Sequence, residues 1–390
     1  MKTLVCGWDG YIGTALVQRL LREGHSVVAL DNYDRRTAVN EMNSVSFTDI
    51  LDINAKKKEL LTLGNIRFLV ADIADPQTEY LHLKFRAYGK FDNIINLAHC
   101  PSGPFSMVDQ VHANYVLNNN IIGTNNLLWA MKQYCPEAHY ITIGSTGEYD
   151  HQSLVDIQEG YFKFTHNGRE SAEMIFPRRP GSIYHTSKTA STYLIDLITR
   201  SWDIRCTDVQ QAVVFGIYTD DIKETGIQTR LDTDQCFGTV LNRFCVQALI
   251  GEPLTIYGEG KHQRGFLSLN DSVQALMIAV NNPAPKGRVQ VWNQLSEWQS
   301  INDIAQMVVD VAEEYSINVE TKHIPTPRKE STSDHYYNYV SDILKGFGYV
   351  PSRTIKDEIR HILEYGINHT LTKEKRNILK ANVKPTITWK

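Results

Sequence analysis

Lys2-Thr3-Leu4-Val5-Cys6-Gly7-Trp8-Asp9-Gly10-Tyr11-Ile12-Gly13 decides the fold. Lys2 to Cys6 reads as a short strand of the buried, parallel kind, with apolar residues side by side rather than alternating. Beyond the glycines, Ala15, Leu16, Leu20 and Leu21 recur at helical spacing, and His25 to Leu30 is a second apolar strand ending at Asp31. Strand, glycine turn, helix and strand in this order form the phosphate-binding unit of a doubly wound α/β sheet. The first glycine permits the tight turn, the second lets backbone approach a pyrophosphate, and the third lets the helix lie close to the sheet. The anion would rest on the helix N-terminus, where free N–H groups and the dipole favour negative charge.

Working outward, further strands are expected at Ile66–Val70, Asn93–Leu97, His139–Ile143, Cys206–Phe215 and Val289–Asn293. Helices are expected from Asp75-Pro76, from Asn119 through Met131, at Leu241–Leu249 and at Ile301–Glu314. Residues 41–64, with Lys56-Lys57-Lys58, read as a charged insertion on a solvated helix, and residues 150–182 as a polar loop over the substrate. The expected architecture is α/β: a Rossmann-like doubly wound parallel sheet with a smaller, interleaved C-terminal substrate lobe. Residues 1–215 would hold the cofactor and the catalytic set, and 216–390 mainly the substrate.

Asp31 can accept hydrogen bonds from a ribose 2′-hydroxyl and would repel a 2′-phosphate, so NAD is the expected cofactor. Arg35 and Arg36 nearby pull the other way, since arginines can hold a 2′-phosphate. The expected cofactor contacts are Gly7, Asp9, Gly10, Tyr11, Ile12, Gly13, Asp31, Asn32, Arg35, Asp72, Ile73, Leu97, Ala98 and Asn119, together with Tyr184 and Lys188.

A net charge of −4 gives no electrostatic case for nucleic acid or an anionic membrane, and the basic tail from Lys373 to Lys384 reads as solvated surface. No apolar run approaches membrane length. Six scattered cysteines without a CxxC pair suggest free thiols in a reducing compartment and no metal site; a cytoplasmic location is expected.

Tyr184 and Lys188 are four residues apart, which on a helix puts both side chains on one face. An ammonium beside a phenol favours the phenolate and makes a proton acceptor of it. Ser145 closes the His139–Ile143 strand, at the sheet edge where ligands bind in this architecture. Glycine loop, serine, tyrosine and lysine together resemble the short-chain dehydrogenase/reductase superfamily. The resemblance implies oxidation of a secondary alcohol: Tyr184 takes the hydroxyl proton, Ser145 binds the reacting oxygen, and Lys188 supports the tyrosine.

The C-terminal portion narrows this. Gly251-Glu252-Pro253-Leu254-Thr255-Ile256-Tyr257-Gly258 and Gln263-Arg264-Gly265-Phe266 resemble the extended branch that modifies nucleotide sugars. Thr165-His166-Asn167-Gly168-Arg169, Tyr184-His185-Thr186-Ser187-Lys188, Phe237-Gly238-Thr239-Val240-Leu241-Asn242-Arg243-Phe244-Cys245-Val246-Gln247 and Asp334-His335-Tyr336-Tyr337-Asn338 resemble the UDP-sulfoquinovose synthase family, and the similarity runs through nearly the whole chain. It implies a tightly held NAD, UDP-glucose and sulfite as substrates, a 4-keto intermediate and a homodimer. It further implies catalytic roles for Ser145, Tyr184, Lys188, His185 and Thr146, and substrate contacts from Gln211, Thr239, Tyr257, Arg264 and Arg328. A 4-epimerase or dehydratase of the same branch is the alternative, and a non-catalytic NAD-binding protein a more distant one.

The chain departs from the family beside the expected sugar. Ala98-His99-Cys100-Pro101 stands where the family has Gly-Glu-Gln-Arg, which removes an arginine. Ser145-Thr146-Gly147 stands where it has Thr-Met-Gly. Cys100 reads as a small buried filler.

Overall fold

The computed structural model describes residues 1–149, 156–327 and 338–387. At its centre lies a seven-stranded sheet of β1 (Lys2–Cys6), β2 (Ser26–Asp31), β3 (Ile66–Val70), β4 (Asn93–Asn96), β5 (His139–Ser145), β6 (Arg205–Gln211) and β7 (Val289–Gln294). The strands run in the order β7-β6-β5-β4-β1-β2-β3, every neighbouring pair parallel. This is the doubly wound Rossmann-like sheet expected. Its order reverses between β1 and β4, and there the crevice beyond the strand ends opens.

Both faces are covered, which is why the strands are apolar on both sides. Leu16 and Leu20 of the Tyr11–Arg22 helix and Val273 and Leu276 of the Leu269–Asn281 helix pack with Val5, Ala29 and Ile95. On the other face, Leu127 and Leu128 of the Gly123–Tyr134 helix and Ile195 and Ile198 of the Ile183–Trp202 helix meet Leu4, Val28, Ile94 and Tyr140.

The structure departs from the sequence reading in five places. The sixth strand stops at Gln211, level with the last residue of β7. Beyond it the Ala212 N–H bonds the Gln294 carbonyl, and Val213–Phe215 pairs with Gln263–Ser268 in a second, three-stranded sheet completed by Glu297–Ser300. With its neighbour ended, the chain finds a new partner one residue on. Second, the helix expected from Asp75-Pro76 begins only at Glu79. Third, the run through Asn119 is a Gln110–Leu117 helix joined to the Gly123–Tyr134 helix by a wider turn over Asn118–Ile122. Fourth, the described part of 150–182 carries two small antiparallel pairs, Tyr161–Phe162 with Met174–Ile175 and Thr165–His166 with Arg169–Glu170.

The charged insertion also differs. Its helix, Ile53–Leu63, is capped by the Asp52 carboxylate, which accepts from the Asn54 and Ala55 N–H groups. Lys56 on this helix is not solvated. It is buried beneath the glycine turn, with Nζ 2.8 Å from Asp9 Oδ1 and 2.7 Å from Thr14 Oγ1.

Candidate active site

A cavity of 310 Å³ lies at the C-terminal strand ends. The glycine turn forms one wall. Gly7 has φ +84°, and a Cβ there would lie 2.6 Å from the Leu97 backbone. A Cβ on Gly13 would lie 2.0 Å from the Gly7 carbonyl oxygen. Close approach therefore requires glycine at both. Gly7, Gly10, Tyr11, Ile12 and Gly13 all line the cavity, as do Asp31, Asn32, Arg35, Asp72, Ile73, Leu97, Ala98 and Asn119.

Asp9 does not. Its carboxylate is turned away and held by Arg36 (2.6 and 3.0 Å) and Lys56, which lower its pKa against the opposing effect of burial. Its backbone N–H donates to Asp31 Oδ2 at 2.9 Å, and the Tyr33 N–H donates to Asp31 Oδ1 at 2.8 Å. Burial raises the Asp31 carboxyl to about 6. Each oxygen keeps lone-pair capacity for a ribose hydroxyl. Arg35 is bound to Asp232 at 2.7 Å and lies over the Phe237 ring. Both arginines that could have held a 2′-phosphate are thus engaged by aspartates of the protein. The glycine cradle, the Asp31 acceptor and these neutralised arginines fit NAD.

Ser145, Tyr184 and Lys188 meet on the opposite wall with Gln211 and Thr239. Ser145 ends β5 and caps the Thr146–Glu148 turn: its Oγ accepts from the Gly147 N–H at 3.2 Å, while Glu148 Oε1 accepts from the Ser145 N–H at 2.9 Å. Glu148 is locked behind the site by Arg178 at 2.7 Å, both side chains without solvent exposure. Tyr184 and Lys188 occupy the first turns of the Ile183–Trp202 helix, which starts here because Ser182 caps it by accepting from the His185 N–H. Ser106 Oγ accepts from the Tyr184 N–H at 3.0 Å. Lys188 Nζ donates to the Ile143 carbonyl and lies 2.5 Å from His99 Nδ1.

Lys188 was expected to lower the Tyr184 phenol. In this structure the phenol is raised, first by burial and then by the charge of Glu148, and burial lowers Lys188 to about 8. The physical reason is that desolvation disfavours the charged form of each group.

His185 and Thr146 do not line the cavity. His185 packs beside the Tyr184 ring and against Gly147, where a Cβ would meet Nε2 at 2.3 Å. The Thr146 carbonyl accepts from the Tyr339 hydroxyl. Tyr257, on the Leu254–Tyr257 strand, and Arg264, on the Gln263–Ser268 strand, do not line the cavity, and the Tyr257 hydroxyl accepts from Arg243 at 3.0 Å. Arg328 lies outside the described residues. Sequence reasoning missed Arg230, Asp232, Phe237 and Asn242, which line the cavity. Arg230 and Asp232 form a buried pair at 2.8 Å, and an arginine two residues before an aspartate, with a second aspartate at Asp234, was the available signal.

Residues 3–294 match the model of the NAD dependent epimerase/dehydratase family. The chain is 35% identical to the chloroplastic UDP-sulfoquinovose synthase of Spinacia oleracea over 392 aligned positions, covering all of this chain and 79% of that one. It is equally 35% identical to the UDP-sulfoquinovose synthase of Sulfolobus acidocaldarius, over 93% of this chain and 92% of that one. Among solved structures, a UDP-glucose 4-epimerase of Thermotoga maritima with UDP-glucose superposes with a TM-score of 0.69 at 19% identity, covering 94% of this chain and 98% of that one, which shows the shared fold. Glycine cradle, NAD-selective acidic strand end, Ser–Tyr–Lys wall and full-length similarity converge: the chain is an enzyme of the NAD dependent epimerase/dehydratase family and belongs within it to the UDP-sulfoquinovose synthases.

Proposed function

We propose that this enzyme converts UDP-glucose and sulfite to UDP-sulfoquinovose and water, with NAD retained through the cycle. The observation that carries the reading is the convergence of the glycine turn, Asp31, Ser145, Tyr184 and Lys188 on one cavity, in a chain that aligns end to end with UDP-sulfoquinovose synthases. Gly7, Gly10, Gly13 and Asp31 would hold NAD, which supplies a hydride acceptor at C4 of the sugar and gives the hydride back at the end. Tyr184 takes the C4 hydroxyl proton, Ser145 Oγ hydrogen-bonds the same oxygen, and Lys188 is the cation one turn away. The C4 ketone acidifies the C5 hydrogen, the C6 hydroxyl leaves as water, and the sulfur of sulfite bonds to C6 of the resulting enone.

Gln211 and Thr239 are assigned to the sugar nucleotide because they share the cavity with the catalytic wall. Tyr257, Arg264 and Arg328 are assigned to its diphosphate from the sequence match alone. His185 and Thr146 border Ser145 and Tyr184 and complete the set. Residues 1–215 carry the cofactor and the chemistry, and 216–390 mainly the UDP-sugar.

The test is incubation of purified protein with UDP-glucose, with and without sulfite, followed by mass analysis of the nucleotide pool. A sulfonated product that depends on sulfite is expected. UDP-galactose, or a 4-keto product formed without sulfite, would replace this reading with a 4-epimerase or dehydratase.

A homodimer is proposed from the Gln110–Leu117, Gly123–Tyr134 and Ile183–Trp202 helices, which expose Val111, Trp129, Tyr193 and Leu197. Apolar side chains gathered on neighbouring helices mark association surfaces. Six buried cysteines, with no disulfide among the described residues, support a reducing compartment, and a cytoplasmic location is proposed. No helix among the described residues is long and apolar enough to cross a membrane.

A further inference from the structure

His99 follows β4 and faces the cavity. Its two ring nitrogens have different partners. Nε2 lies 2.9 Å from Thr124 Oγ1, and the Thr124 hydroxyl donates its own proton to the Asn120 carbonyl at 2.7 Å. Thr124 can therefore only accept from His99, so Nε2 carries the hydrogen. The Asn96 amide nitrogen has two hydrogens: it donates one to the Tyr140 hydroxyl at 2.9 Å and also lies 3.2 Å from Nε2. The Lys188 ammonium, which can only donate, fixes the tautomer from the other side of the ring. Nδ1 is left with a lone pair, and it points at Lys188 Nζ, 2.5 Å away.

Lys188 is 4% exposed and has a second acceptor in the Ile143 carbonyl. With two of its three N–H groups committed, one remains for the cavity that it lines. We propose that His99 is a positioning residue: its neutral Nδ1 accepts from the Lys188 ammonium and, with the Ile143 carbonyl, aims the remaining N–H into the cavity beside Tyr184. The chain Lys188–His99–Thr124 ends on the backbone carbonyl of Asn120, so it fixes a direction for the ammonium without offering its proton a route onward. Burial and the Lys188 charge both hold the imidazole well below its ordinary value, in keeping with a neutral ring.

The charged and titratable groups around this pair are Glu148 behind β5, Asp208 on β6, Tyr184 on the lysine's own helix, Cys100 next to His99 and Tyr140 on β5. Glu148 and Asp208 raise the Lys188 value, and neither hydrogen-bonds its ammonium. His99 is thus the side chain that orients it.

The proposal rests on the reading of Lys188 as part of the catalytic set, and its test is made without turnover. The titration of Lys188 is followed by the 13Cε resonance of 13C-lysine-labelled protein, assigned with Lys188→Arg. His99→Leu removes the acceptor and is expected to lower the Lys188 midpoint by about one pH unit, since a charge-assisted hydrogen bond is lost. His99→Asn places an amide oxygen near the Nδ1 position and should keep the midpoint within a few tenths of wild type. The same midpoint in His99→Leu as in wild type, or equal shifts in the Leu and Asn variants, overturns the proposal. The ring itself gives a reading that needs no folded Leu variant. In wild-type protein the 15N shifts of His99, assigned by their loss in His99→Asn, should show Nδ1 unprotonated and Nε2 protonated through neutral pH. A hydrogen on Nδ1 overturns the proposal. A normal Lys188 titration with no sulfonated product would instead count against the reaction alone.

Discussion

At the scale of single residues, the proposed chemistry rests on two groups. Tyr184→Phe removes the proposed proton acceptor and leaves the ring. It should abolish formation of the sulfonated nucleotide while NAD is still released in stoichiometric amount on denaturation, and retained turnover would sink the mechanism. Lys188 gives the pH dependence. Its value in the folded protein, about 8, lies below the roughly 10.4 of a free lysine. Its charge is therefore present at neutral pH and lost as pH rises through about 8. Turnover in saturating substrate is expected to fall over that interval, read from a kcat–pH profile. The meeting of Ser145, Tyr184 and Lys188 on one cavity was legible in the sequence because they obey local rules: a strand end for the serine and a four-residue helical spacing for the other two. The states of the phenol and the ammonium were not legible. They depend on burial and on Glu148, which is remote in the chain from Lys188.

At the scale of elements, the glycine turn and its flanking strands could be read outright, since Gly7 and Gly13 are required by steric contacts within that unit and with its neighbouring strand. The inserted Ile53–Leu63 helix could not. Three consecutive lysines project in three directions, and only the packed fold decides that Lys56 turns inward to Asp9. Burial lowers the Lys56 pKa, and Asp9 opposes that shift. Lys56→Met would leave Asp9 with Arg36 alone and should cost about 3 kcal/mol of stability, measured by urea unfolding. The same variant should loosen NAD, because the Asp9 backbone N–H orders the Asp31 carboxylate. The break at Ala212 was equally hidden: Cys206 to Phe215 reads as one strand, and it divides where β7 ends at Gln294.

At the scale of the whole molecule, the exposed helix faces carry the association prediction. Leu197 is 52% exposed on the Ile183–Trp202 helix, so Leu197→Glu should not disturb the core. It is expected to shift the protein from dimer to monomer in sedimentation velocity at micromolar concentration. A monomeric wild-type protein would remove the dimer from the account. The sheet itself has a consequence for how the chain is made. β6 ends at residue 211, but its outer neighbour β7 begins at residue 289. On the ribosome, the first six strands emerge while the hydrogen-bonding edge of β6 has nothing beside it. Such an edge is a template for intermolecular pairing until it is covered. The open edge therefore waits on a late segment, and it is exposed for the interval in which residues 212–294 are being synthesised.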